Sequence, residues 1–158
     1  MGLRGDTMHN LKIVSLRDKR EYRDYFNEYL KELSQYDLTI EFDEKGTPKY
    51  KYFDYYFKDD DRYPYWLCLK DEIVGLAMIR ELEEEEYEIA EFTIFKEYRG
   101  NDNALNFASL LLENFTGNFI FSTDLNNIIA VKFWDKFTRK YNGNFEDIDG
   151  RREWKITR

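Results

Sequence analysis

A chain of 158 residues with 42% hydrophobic content is long enough to bury one core, and two prolines and eight glycines do not suit a disordered or loop-dominated chain. A net charge of −8 disfavours nucleic acid, which needs a basic face, and mildly favours cationic or amine partners through steering. One cysteine and one histidine exclude an internal disulfide and supply no zinc cage.

Residues 1–10, MGLRGDTMHN, lack the apolar core of a signal peptide and read as a flexible leader that carries His9; 11–158 read as a single domain. No apolar run reaches membrane-spanning length, so no membrane partner is expected and the cytoplasm is the expected compartment. LKIVSL (11–16) is apolar on both faces, which suits an interior strand. Asp18 is placed to cap a helix over 18–34, whose Tyr22, Phe26, Tyr29 or Leu30, and Leu33 recur at helical spacing. A polar loop follows over 35–49. In the aromatic stretch 50–66, Tyr52, Phe53, Tyr56 and Phe57 fit a short helix stopped by the acids at 59–61. Those rings either pack on a sheet or wall a ligand, since a tyrosine keeps a polar tip for a pocket edge. The acidic runs at 59–61 and 83–86 lack the ligand spacing of a calcium loop, and no metal site is expected.

YWLCLK (65–70) and IVGLAMIREL (73–82) read as a hairpin turning at Asp71 and Glu72, with Cys68 as core filler and Gly75 marking a bulge or a close backbone approach. YEIAEFTIF (87–95) is the next strand. Ile89, Phe92, Ile94 and Phe95 do not keep one phase of alternation, and a bulge near Ala90-Glu91 restores it. A polar turn opening with Arg99-Gly100 leads to a helix over 103–114, which Gly117 stops. A strand that delivers its backbone into a helix N-terminus makes an anion site, because the first helical N–H groups have no internal partner. A short strand (118–123) precedes a helix capped by Asn126 or Asn127, with Ala130, Phe133, Trp134, Phe137 and Tyr141 at helical spacing. A hairpin through Asp149-Gly150 ends the chain. This order gives a mixed α/β sheet, with antiparallel hairpins in the middle and at the end and helices on both faces.

The order of elements, with the residues from 87 to 141, resembles the GNAT superfamily of N-acetyltransferases. Its central signature is Arg or Gln, two residues, Gly, one residue, then Gly or Ala, between a strand and a helix; Arg99-Gly100-Asn101-Asp102-Asn103-Ala104 stands at that place. Arg99 and Ala104 match, whereas Asp102 replaces the middle glycine. A second motif is met by Asn127, Ala130, Phe133 and Trp134, within N-x-x-A-x-x-FW-x-K. The narrower pattern is similar to a branch of predicted acetyltransferases with little-defined substrates.

The resemblance implies a GNAT-like, mostly antiparallel sheet and acetyl-CoA as co-substrate, with its pyrophosphate over Arg99, Gly100, Asn101, Asp102, Asn103 and Ala104. Its pantetheine arm would pair with backbone near Phe92 and Ile94, the Ile94 N–H facing the thioester carbonyl, and Asn127 and Phe133 would complete the site. Asp102 opposes a pyrophosphate unless its carboxylate points to solvent or caps the helix. The resemblance further implies direct transfer to a small-molecule or peptide amine, with Glu91 as base and Glu88 as second choice. The family's usual acid is a tyrosine after the second motif's aromatic. Trp134 occupies that place and cannot deliver a proton, which leaves the acid to another tyrosine, from 50–65, or to water. The alternative is a GNAT-fold acyl-CoA-binding or regulatory module of weak or no activity. A homodimer is compatible with either reading.

Overall fold

The computed structural model describes residues 8–158. Seven strands form one sheet in the order β1-β2-β3-β4-β5-β7-β6. They are β1 (His9–Ile13), β2 (Arg62–Leu69), β3 (Glu72–Glu83), β4 (Glu86–Ile94), β5 (Asn118–Asp124), β6 (Asn144–Ile148) and β7 (Arg151–Ile156). Every pair is antiparallel except β4–β5. Three helices cover the sheet: α1 (Lys19–Leu33), α2 (Asn103–Asn114) and α3 (Ile128–Lys140). Among the described residues no helix is long and apolar enough to cross a membrane.

Alternation along β2 and over 76–79 of β3 divides the side chains between two cores. On β2, Tyr65 and Leu67 face the core under α2 and α3, where Phe107, Leu111, Trp134 and Phe137 are buried. Trp66 and Cys68 face the core under α1, with Tyr22, Phe26 and Leu30. On β3, Ala77 and Ile79 join the first core, and Leu76 and Met78 the second. Helices therefore lie on both faces, as the element order predicts. Phe26 has no exposed surface, and burying such a side chain contributes roughly 2–3 kcal/mol.

The aromatic stretch divides. Phe53 and Tyr56, around the 3-10 turn Asp54–Phe57, pack into the α1 core, while Tyr52 and Tyr55 stay exposed. Gly75 serves close approach: a Cβ there would run into the Thr93 carbonyl on β4. Gly117, at φ 152°, lets the chain entering β5 pass the carbonyl of Glu85, the turn residue before β4.

The first strand differs from its expectation. It is β1, at the sheet edge, and it ends at Ile13. The apolar residues of 11–16 serve different ends: Leu11 packs under α2, Val14 turns into the α1 core, and Leu16 begins a 3-10 turn with 70% exposure. The Asp18 side chain makes no cap bond to α1. Of the leader expected over 1–10, residues 1–7 lie outside the described residues, and His9 and Asn10 pair with Leu69 and Cys68.

Candidate active site

The site begins with one extra residue in β4. Met78 of β3 faces Glu91 and Ile79 faces Ile89, so Ala90 bulges out of register, where the broken alternation places it. Ile89 packs under α2 and α3, Ala90 packs toward α1, Glu91 bonds to a side chain of α1, and Phe92 returns to the first side. The bulge thus gives two consecutive side chains to the α1 face. The β4–β5 ladder runs only from Glu86–Asn118 to Glu88–Ile120. Beyond it the two parallel strands part. Phe95 N–H donates to the Val74 carbonyl on β3 at 2.8 Å, so backbone alternation turns the amides of Phe92 and Ile94 away from β3, toward the opening.

The turn after β4 is unusual in its backbone. Gly100, Asn101 and Asp102 take φ values of 90°, 52° and 58° in succession. Glycine, asparagine and aspartate tolerate that region best. The first ladder bond of α2 runs from Asn106 N–H to the Asp102 carbonyl at 3.0 Å, so the amides of Ala104 and Leu105 ahead of it are not consumed by the ladder. Asp102 occupies the cap position, but its carboxylate makes no capping bond. It lines a cavity of about 210 Å³ with Ile94, Arg99, Gly100, Ala104 and Phe133, and Lys136 of α3 stands in the same wall.

Not every expected residue faces that cavity. Asn103 is buried, donates from Nδ2 to the Tyr98 carbonyl at 2.8 Å and accepts at Oδ1 from His9 Nε2 at 3.0 Å. Asn101 is exposed. The Asn127 side chain accepts from Ala130 N–H at 3.3 Å and caps α3. Phe92 stacks on Phe133, with centroids 6.2 Å apart. The Arg99 guanidinium also points elsewhere. It donates from Nε to the Ile94 carbonyl at 2.8 Å and from Nη1 and Nη2 to Glu32 of α1 at 2.9 and 2.6 Å. Arg99 therefore fixes the turn, and its charge is already matched.

On the other face of β4, Tyr29 of α1 donates to Glu91 Oε1 at 2.7 Å and Tyr50 donates to Oε2 at 3.0 Å. Burial pushes the Glu91 carboxyl up to about 7; the two tyrosine bonds and Arg151 oppose that rise, and Glu88 adds to it. A second cavity, of about 360 Å³, opens beside Tyr29 between α1 and the end of β4, with Glu28, Glu32 and Glu97 in its wall. Glu88 is engaged elsewhere, by Arg80 at 3.2 Å. Trp134 is buried among Phe92, Phe121, Phe133 and Phe137 and serves packing.

A parting parallel pair, a bulge and an anion-ready turn thus occur together. The model of the acetyltransferase (GNAT) family matches residues 22–138. The chain belongs to the GNAT acetyltransferase family. Solved structures share its fold at low identity. The Vibrio cholerae spermidine N-acetyltransferase, determined with CoA and spermine, is 14% identical over 96% of each chain with a TM-score of 0.63. The GNAT domain of S. lividans PAT is 12% identical over 95% of this chain and 90% of its own, with a TM-score of 0.67. A Thermoplasma acidophilum N-acetyltransferase in complex with coenzyme A is 11% identical over 96% and 100%, with a TM-score of 0.61. The comparison with curated proteins gives no match.

Within this GNAT fold, the sequence left Lys136, Tyr29 and His9 without a role at the site, and offered Tyr50 only as one of the 50–65 tyrosines open to the acid's role. Lys136 closes the quoted second motif, and its position three residues after Phe133 on α3 is a usable signal. Tyr29 was visible only as a helix-face aromatic. Tyr50 lay at the edge of the aromatic stretch. His9, read as leader, is held on β1 against Phe107 and Asn103.

Proposed function

We propose that this GNAT protein is an acetyl-CoA-dependent N-acetyltransferase that moves an acetyl group directly to a small-molecule or peptide amine. The observation that carries the reading is Glu91: a carboxyl at the bulge, beside the opening between β4 and β5, with its pKa pushed up to about 7 by burial. A base poised there takes an ammonium proton near neutral pH. The amides of Phe92 and Ile94 suit the amide arm of the co-substrate, with Ile94 N–H as donor to the thioester oxygen. The turn from Arg99 through Ala104, with Lys136, suits its pyrophosphate. Asn127 and Phe133 bound the far side, Asn127 by setting the start of α3. Solved relatives that bind CoA, and one that carries spermine, share the fold and support the choice of partners.

The test has two stages. Calorimetry with acetyl-CoA and CoA is expected to show binding, and none at millimolar ligand would sink the reading. Thiol release from acetyl-CoA is then followed across a panel of amines. Turnover is expected to rise with pH to a plateau, through about 7, as Glu91 ionises. Glu91→Gln is expected to lose that limb and roughly 10²-fold in rate.

A second reading, a GNAT-fold acyl-CoA-binding or regulatory module, is favoured by an aspartate, Asp102, among the residues of the cavity wall and by tryptophan at position 134. Binding of acetyl-CoA without turnover of any amine would select it.

A further inference from the structure

The carboxyl of Glu91 and the cavity beside α1 are close, but they do not meet. Tyr25, Glu28, Tyr29, Glu32, Thr93 and Phe95 are wall residues, and Glu91 is not. Tyr29 belongs to both places: it is a residue of the cavity wall, and its hydroxyl donates to Glu91 Oε1 at 2.7 Å. The second donor, Tyr50, bonds the other carboxyl oxygen at 3.0 Å and is not part of that wall.

Resting on the acetyltransferase reading, we propose that Tyr29 is a catalytic proton relay, carrying the acceptor's proton from the α1 cavity to Glu91. The acceptor enters as an ammonium. One N–H bond breaks as its proton moves to the Tyr29 oxygen, and the phenolic O–H breaks in the same event as that proton passes to Glu91 Oε1. The ammonium becomes an amine, the carboxylate becomes a carboxylic acid, and Tyr29 ends as it began. The amine lone pair then forms the C–N bond at the acetyl carbonyl. The C–S bond breaks, and the thiolate takes the second proton from the same nitrogen. Glu91 returns its proton to solvent, so the sum is one ammonium and one thioester converted to one amide, one thiol and one released proton.

The surroundings fit a phenol that passes a proton without keeping a charge. Burial and the Glu91 charge hold the Tyr29 phenol well above its ordinary value, so it stays neutral at any working pH. The phenols of Tyr22 and Tyr56 are likewise raised, by burial first and also by the Glu91 charge, and the Tyr22 hydroxyl is committed to the Ala77 carbonyl at 2.8 Å. Of the charged groups acting on the carboxylate, Glu88 opposes its ionisation and Arg151 favours it. Two tyrosines thus bond one carboxylate alike, and of the two only Tyr29 is also a residue of the cavity wall.

That asymmetry is the test. Tyr29→Phe keeps the ring against Phe26, 5.7 Å away, and removes only the hydroxyl. Tyr50→Phe removes a bond of the same kind from the same carboxylate. Each bond lowers the Glu91 pKa, so losing either should move the rising limb of kcat/KM to higher pH. The rates are therefore compared on the plateau, near pH 9, using thiol release with spermidine and the amine panel, after calorimetry has shown unchanged acetyl-CoA affinity. Tyr50→Phe, which removes a donor from the same base, is expected to lose no more than roughly tenfold in plateau kcat. Tyr29→Phe is expected to lose at least roughly 10²-fold there, the lower range for general acid–base catalysis. A Tyr29→Phe plateau equal to the wild type would overturn the relay and leave the acetyltransferase reading intact, and equal losses in the two variants would do the same. No turnover of any amine by the wild type would overturn the acetyltransferase reading, and the relay with it.

Discussion

Asp102 sets the electrostatics of the turn. At φ 58° its backbone is in a region that aspartate tolerates and glycine takes freely, so the substitution costs the turn little. Its charge is a separate matter. The carboxylate makes no cap bond, the residue lines the same cavity as Lys136, and the charge of Arg99 is already matched by Glu32. Asp102→Gly should therefore tighten acetyl-CoA binding, by about 1 kcal/mol or roughly fivefold, with less gain at high salt. Lys136→Ala should weaken it by a similar factor. Calorimetry at two ionic strengths checks both, and an unchanged affinity for Asp102→Gly would place the pyrophosphate away from this wall. The identity of position 102 was legible in the sequence. Its lack of a capping bond was not, because capping depends on backbone geometry that three successive left-handed residues create.

The bulge acts at the scale of the element. Ala90 has no partner on β3, and the strand changes phase around it; extra twist at such a residue turns β4 away from β5. Deleting Ala90 should restore plain alternation, straighten β4 and extend the β4–β5 ladder past Glu88 and Ile120. The expected variant folds with the same sheet but loses acetyl-CoA binding by calorimetry, since the open amides of Phe92 and Ile94 become ladder donors. Retained affinity would detach the opening from the bulge. This element was readable from one strand because side-chain phase is a local property: Ile89 and Phe92 cannot share a face without an extra residue between them. The partners of Glu91 were not readable in this way. Tyr29 and Tyr50 lie 62 and 41 residues away along the chain, and only the packing of α1 across the sheet brings them together. The same limit misplaced the first strand, because apolar residues on both faces of 11–16 look alike at a sheet centre and at an edge that helices cover.

For the molecule as a whole, a buried carboxyl at the site works against stability at neutral pH. Burial raises the Glu91 pKa from its ordinary 4.5 to about 7, so between those values the folded chain holds a proton that the unfolded chain has released. Its stabilising contribution is complete below about 4.5 and is lost as pH rises toward about 7, an upper bound of ~3 kcal/mol. The carboxylates whose pKa is lowered by a partner, Glu32 by Arg99, Asp43 by the Thr47 amide, Asp54 by Lys19 and Asp147 by Arg152, act in the opposite sense, but their changes fall below the ordinary carboxylate range. Asp124, raised by burial, shares the sign of Glu91, so the total slope does not isolate one residue. The difference between wild type and Glu91→Gln does. Urea unfolding at pH 5 and pH 8 should show the wild type losing up to ~3 kcal/mol more than the variant across that interval. Equal losses would mean that Glu91 is ionised in the folded chain throughout, and a carboxylate already ionised at pH 5 could not produce a rising limb of activity near pH 7.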